Sequence, residues 1–327
     1  MVPIADYRIR QALNLYNQAI ADHDTDYLVL SEEQFMRLFL TPVKEKDQVF
    51  SCCCEDGSGF IVGHFDHVIE RFFLTMIAVA PEKRRQGIGS RLVEALQQEM
   101  DLYAEKNLLP PPALEISFYN PVNIRWVIPG TDHHTHQNSQ GVPLGSGAHL
   151  FFKNLGFRDF ACQNTYHMDI PSYQWPTKKL APYEKRLSDA GLSVDFFDGN
   201  RHHGMQDVVD DLNNAIWNWQ IPEEMNRPSG PRPMLIVNDH GQCGGFAGPI
   251  VVEPDGRCWI LGVAVHSRYR GHGAATILFN RMCQAFKEAR AKYLTLFTDE
   301  KNPARNIYES AGMKIVYSWA DMRRVHP

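Results

Sequence analysis

Apolar positions along the chain fall into short runs and stripes that predict alternating helices and strands. Ile9, Leu13, Tyr16, Ala19 and Ile20 recur at helical spacing, and Ser31 stands as a cap before a second helical stretch, Glu32 to Leu40. Three strand-like runs follow, Val49 to Cys54, Gly59 to Phe65 and Phe72 to Val79, with Asp56-Gly57 as the turn of a hairpin. Beyond Gly87 and Gly89, Leu92, Val93, Leu96 and Met100 form one apolar stripe of a helix. A strand at Ala113 to Tyr119 precedes residues 120–146, which lack periodicity and are rich in Pro, Gly, Asn and His; a loop of that length is usually functional or mobile. A short helix, Gly147 to Asn154, and a strand, Asn164 to Ile170, complete this half.

The rest of the chain repeats the order. After a charged, Pro-containing linker at 171–190, part of it helical, the pattern gives strand Leu192 to Phe197, helix Met205 to Ile216, and strands Met234 to Val237, Cys243 to Val252 and Arg257 to Val265. Helix Ala274 to Ala289, strand Tyr293 to Thr298, helix Pro303 to Ser310 and strand Val316 to Met322 follow. A shift of 186 positions lays Arg84 on Arg270, Gly87 on Gly273, Gly89 on Ala275 and Leu92 on Leu278, and the apolar stripe survives the superposition. Between that turn and the later glycine corner, Gly156 or Gly312, the first copy is about 30 residues longer, the length of its irregular loop. The expected organisation is therefore an α/β protein of two tandem domains, 1–170 with an insertion at 120–146 and 191–327, joined by the linker 171–190.

Composition narrows the class. The 327 residues are 44% hydrophobic and 22% charged, as in globular proteins, and a net charge of −5 offers no general attraction for nucleic acid or anionic membranes. Apolar runs stop at about ten residues where a spanning helix needs about 20, and the amino terminus lacks the apolar core of a secretory signal. The adjacent Cys52, Cys53 and Cys54 cannot pair with one another without strain. The seven cysteines are accordingly expected to be reduced and the protein cytoplasmic.

The chemistry concentrates in two turns, Arg84-Arg85-Gln86-Gly87-Ile88-Gly89 and Arg270-Gly271-His272-Gly273-Ala274-Ala275. Each follows an apolar strand and opens a helix, and small residues there let backbone N–H groups surround a pyrophosphate at the positive end of the helix dipole. No GxxxxGK(S/T) is present, and neither turn is a dinucleotide-binding GxGxxG. In both, the pattern is (Q/R)xxGx(G/A), and with the run Asn302-Pro-Ala-Arg-Asn-Ile-Tyr308-Glu-Ser-Ala-Gly312-Met313 it resembles the GNAT superfamily of N-acetyltransferases, over nearly the whole chain and as two tandem copies.

That resemblance implies, in each copy, a mixed and mostly antiparallel sheet flanked by helices and splayed after its fourth strand, with acetyl-CoA entering the splay. Pantetheine would pair with the fourth strand, Ile77, Ala78 and Val79 or Val263, Ala264 and Val265, while the pyrophosphate sits on the turns. Asn302 falls with the cofactor residues, and a backbone N–H near Val263 would polarise the thioester carbonyl. Tyr308 becomes the general acid that protonates the departing thiolate. Phe152 stands at the matching place in the first copy, where a phenyl ring has no proton to give; Tyr119, Tyr166 or a loop histidine are the alternatives there. Asp299 and Glu300 are the nearest candidates for a general base.

The implied activity is transfer of acetyl to a primary amine of a small molecule or peptide by the second copy, with a degenerate first copy; the competing expectation is a non-catalytic acyl-CoA sensor. Trp217 and Trp219, with Glu223 and Glu224, lie where the family builds its acceptor site and would suit a cationic amine, with ordinary core packing of the tryptophans as the alternative. Asp132-His133-His134-Thr135-His136 lacks the spacing and cysteine partners of a strong metal site, and no metal is expected.

Overall fold

The computed structural model describes residues 1–22, 25–214 and 216–325 and divides into two compact units, Met1–Asn164 with Val316–Pro327, and Thr165–Ile315. Among the described residues no helix is long and apolar enough to cross a membrane, and the seven cysteines are unbonded.

In unit 1, Val2–Pro3, Gln48–Cys53, Gly59–Asp66 and Arg71–Val79 form an antiparallel run, and Leu114–Ile116 joins Arg71–Val79 in parallel. Helix Ile88–Lys106 covers one face through Leu92, Val93, Leu96 and Met100, as the stripe predicts. Helices Tyr7–Ala21 and Glu32–Phe39 cover the other, the second opening on a Ser31–Gln34 capping box. Loop 120–146 is packed rather than loose. Trp126–Val127 pairs with Thr135–His136, and Trp126 is buried 5.2 Å from Trp319 with its indole N–H on the Asn138 carbonyl.

Unit 2 has an antiparallel sheet in the order Ser193–Phe196, Leu235–Asp239, Gln242–Gly248, Gly262–Val265. Helix Ala274–Glu288 packs on one face, with helix Thr177–Asp189, from within the expected linker, against it through Leu180 and Leu187. The other face carries Met205–Leu212 and a helix absent from the sequence expectation, Trp217–Met225, which contains Pro222.

Four strands differ from expectation. The strand expected at Arg257 to Val265 is two pieces, Cys258–Trp259 and Gly262–Val265, and Cys243 to Val252 breaks at Pro249, which has no N–H for the ladder. The closing strand of the first half is longer, Arg158–Asp169. The last strand, assigned by sequence order to residues 191–327, lies from Val316 onward in unit 1, where Met322, Arg323 and Arg324 pair with Leu114–Ile116. Strand pairing is not bound by chain order, and Ala320 and Met322 find their apolar cover in the unit 1 core.

Replacing Trp319 by alanine should therefore destabilise unit 1 by about 3–5 kcal/mol, read as a lower urea midpoint. A loss below about 1 kcal/mol would contradict the place given to this strand.

Candidate functional site

Strand Gly262–Val265 pairs with Gly245–Gly248 on one side and ends its sheet on the other. Its outer N–H and C=O groups thus form an open ladder, along which Val263, Ala264 and Val265 stand. In unit 1, Arg71–Val79 meets Leu114–Ile116 only through Phe72 and Phe73; beyond them the strands part and Ile77, Ala78 and Val79 lie on the opened stretch. A bulge opposite Val62 and Gly63 adds Thr75 at the point of divergence.

The two turns share one geometry. Arg84 Nε donates to the Val79 carbonyl at 3.0 Å, and Arg270 Nε donates to the Val265 carbonyl at 3.2 Å, so each arginine folds its turn back onto the strand. Gly273 and Gly87 are both left-handed, at φ 81° and 76°, and so are Gly271 at 85° and its counterpart Arg85 at 61°. A left-handed arginine costs about 1 kcal/mol, a strain retained where surroundings or function require it. In the helices that follow, the first ladder bonds are Ile277 N to Gly273 O and Arg91 N to Gly87 O. The N–H groups of Ala274, Ala275 and Thr276, and of Ile88, Gly89 and Ser90, precede any intrahelical acceptor and are available to an anion.

Their surroundings differ. Lys83, Arg84, Arg85, Gln86 and Arg91 are exposed around the unit 1 turn. In unit 2, Tyr183 from helix Thr177–Asp189 packs so closely that a Cβ on Gly273 would meet its Cδ1 at 2.6 Å, while His272 is half-buried. Asp211 accepts from the Ser267 N–H and hydroxyl at 2.7 and 2.5 Å, which holds its carboxyl below the usual range and ties helix Met205–Leu212 to the turn.

Tyr308 sits on the short helix Arg305–Ser310, half-buried between Tyr166 and Phe279 at ring distances of 5.9 and 5.0 Å. Its hydroxyl has no hydrogen-bond partner among the described residues, and burial pushes its pKa up to about 12. Tyr166 lies in unit 2, where its hydroxyl donates to Glu309 Oε1 at 2.9 Å. Phe152 is buried against Phe151 and Phe157, and Tyr119 is exposed beneath Arg71.

Asn302 Oδ1 accepts from the Ala304 N–H at 3.0 Å, so the side chain caps the turn that leads to Tyr308. Asp299 Oδ1 accepts from the Lys301 N–H at 2.7 Å, so this carboxylate shapes the loop, and Glu300 is exposed.

The expected acceptor residues separate into two kinds. Trp217 packs on the fourth strand, where a Cβ on Gly262 would meet its Cζ2 at 2.5 Å, and donates to the Leu261 carbonyl at 3.0 Å. Glu224 is no free anion for a cationic amine. It is buried, and both its oxygens accept from Arg232; burial would raise its carboxyl, but Arg232 outweighs that and holds it low. Trp219 and Glu223 remain exposed. Sequence reasoning missed Arg232, Arg227 and Tyr183, which lie in a loop and a linker without periodic signal.

The loop histidines do not gather, with His136 buried beside Trp126 and His133 exposed. Among the described residues, Asp47, Asp66 and His67 are close enough to share a cation, but Lys44 and backbone N–H groups already occupy their carboxylates.

Two family models match the chain: an Acetyltransferase (GNAT) domain over residues 45–159 and the Acetyltransferase (GNAT) family over 196–313. The fold is similar to that of a GCN5-related N-acetyltransferase from Sphaerobacter thermophilus, at TM-score 0.64 and 15% identity over 99% of this chain and 96% of that one. It is also similar to a tandem GNAT protein from the clavulanic acid biosynthesis pathway, at 0.56 and 16% over 99% and 97%. A glucosamine N-acetyltransferase region of a fungal multi-domain GH3 β-N-acetylglucosaminidase matches at 0.66 and 12%, over 98% of this chain and 37% of that one. No curated protein matches the chain. At these identities the structural likeness speaks for the fold.

The environment of Tyr308 fixes the sign of a pH effect. An unfolded tyrosine ionises near 10 and this one near 12, so its contribution to stability is present below pH 10 and is lost as pH rises to about 12. The phenolate absorbance missing from Tyr308→Phe, relative to the parent protein, should develop near pH 12; titration near 10 would contradict the buried setting.

Proposed function

The chain belongs to the GNAT acetyltransferase family as a tandem member, and from that premise we propose that unit 2 transfers acetyl from acetyl-CoA to a primary amine of a small molecule or peptide. The observation that carries this reading is the neutral, unpartnered phenol of Tyr308 in the unit whose fourth strand ends its sheet. Acetyl-CoA pairs its pantetheine with Val263, Ala264 and Val265 and sets its pyrophosphate on the turn Arg270 to Ala275. The amine lone pair attacks the thioester carbonyl, whose oxygen is received by a strand N–H near Val263. As the tetrahedral intermediate collapses, the new C–N bond stays and the C–S bond breaks. Tyr308 donates a hydrogen bond to the sulfur as charge develops there and then its proton, while the amine's surplus proton leaves to solvent and the Tyr308 phenolate takes one back from solvent. A phenol that ionises near 12 is protonated throughout the neutral range and so is always ready to donate.

Unit 1 keeps the strand edge and a more basic turn, but Phe152 cannot donate. This favours a second reading for that unit alone, in which it binds acyl-CoA without turnover.

Titration calorimetry with acetyl-CoA tests the proposal together with two variants. Ala275→Glu places a carboxylate in the phosphate cradle without backbone strain, and negative charge in a first helical turn does not harm folding. It should abolish binding in unit 2. Tyr308→Phe should lower kcat by about 100-fold or more with acetyl-CoA affinity unchanged. Absence of binding to the parent protein, or a rate indifferent to Tyr308→Phe, would overturn the assignment.

A further inference from the structure

Helix Trp217–Met225 lays Trp217, Ile221 and Glu224 along one face, spaced as successive turns. Trp217 marks one end of that face against Gly262 of the fourth strand, and Glu224 marks the other. At the Glu224 end the charges do not balance. Arg232 takes both carboxylate oxygens, through Nε at 3.0 and 2.9 Å and through Nη2, and its backbone N–H adds a further bond at 2.9 Å. Arg227 stands 3.7 Å from the same carboxylate, too far to hydrogen-bond, and its Nε is buried without a hydrogen-bond partner among the described residues. Two guanidinium groups thus face one carboxylate, leaving a surplus positive charge. Arg232 is held flat over Trp259, 4.3 Å from the ring centroid, and both arginine side chains remain about a third exposed, at 31% and 38%.

The place of this surplus relates it to the reaction. Trp259 precedes Gly262 by three residues across a bend at Leu261, so the two lie within about 10 Å of each other. Glu224 follows Trp217 by seven helical residues, also about 10 Å. A small acceptor whose amine reaches the fourth strand would therefore bring its far end to Arg227. An unsatisfied buried N–H of a charged group is costly, and the planar fork of arginine is best satisfied by the two oxygens of a carboxylate.

We propose that the acceptor of unit 2 is an amine bearing a carboxylate at its far end, received by Arg227. This specificity rests on the acetyltransferase reading of unit 2 but is tested without turnover. The probes are 6-aminohexanoate, which spans the interval, and 6-aminohexanamide, its neutral counterpart, each titrated calorimetrically into the full-length protein; 6-aminohexyl phosphate forms a third arm. The carboxylate should bind at least tenfold more tightly than the amide. Arg227→Met keeps the aliphatic stem and should erase the preference, and Arg227→Lys should restore part of it, with melting temperatures unchanged. Equal binding of acid and amide, a preference that survives Arg227→Met, or no binding of the acid at 10 mM would overturn the proposal. A preference for the phosphate over the carboxylate would overturn the ligand class. Failure of the transferase reading would show separately, as absence of acetyl-CoA binding with this preference intact.

Discussion

The constraint on which the structure turns is the unpaired outer edge of the fourth strand. An open edge is a liability, because a row of free N–H and C=O groups invites pairing with another chain. Here the exposure is kept short. In unit 2 the strand is only Gly262–Val265, and in unit 1 the edge opens only beyond Phe73. At the far end of each opened stretch an arginine bonds back to the strand's last carbonyl, which turns the chain sharply and aims a helix N-terminus along the same side. In the proposed complex the ladder groups would take an amide-bearing chain and the helix N–H groups a phosphate.

Two copies of that frame have kept the backbone and diverged in side chains. Arg85 adopts the left-handed conformation that Gly271 adopts without strain, so the turn geometry is held even where the residue opposes it. In unit 1, Phe152 joins Phe151 and Phe157 in an aromatic cluster, a good core and a poor acid. In unit 2, Tyr308 occupies a similar aromatic setting but keeps a hydroxyl with no hydrogen-bond partner among the described residues. One oxygen atom separates a packing residue from the proton donor proposed for unit 2, and burial among the surrounding rings raises that phenol's pKa.

What the sequence made legible was local or periodic. The strand–turn–helix order and the apolar stripe of Ile88–Lys106 could be read because each depends on near neighbours, and the shift of 186 superposes turns whose arginine bonds and left-handed positions coincide. Helix Trp217–Met225 escaped because Pro222 lies within it and its buried face is short. The partner of the last strand escaped because pairing is decided by which edge is open and which core accepts Ala320 and Met322, neither of which is local. Glu224 read as a free acid because its neutraliser, Arg232, is eight residues away across a Pro-rich loop. Loop 120–146 lacked periodicity because its order comes from Trp126, Ile128 and Trp319 meeting across the fold.

Folded chains pair nearly all their buried polar groups, so the exceptions are informative. In unit 2 the buried side-chain atoms without a partner among the described residues are the Nε of Arg305 and the Nε of Arg227, and beside them stand open groups on the elements of the proposed reaction: the strand edge that would take pantetheine, the helix N–H groups that would take phosphate, and the Tyr308 hydroxyl. Each of the strand edge, the helix N–H groups, the Tyr308 hydroxyl and the Arg227 side chain matches a different part of the proposed two-substrate complex. Other carboxylates nearby are already satisfied within the protein: Asp299 by Lys301, Asp211 by Ser267 and Glu224 by Arg232. Apart from the strand-edge carbonyls and the exposed Glu223 and Glu300, the open groups named here are donors. A site made of unmatched donors favours negative charge, whether on a phosphate, a developing thiolate or the far end of an acceptor, and the overall charge of −5 gives no hint of it because the imbalance is local.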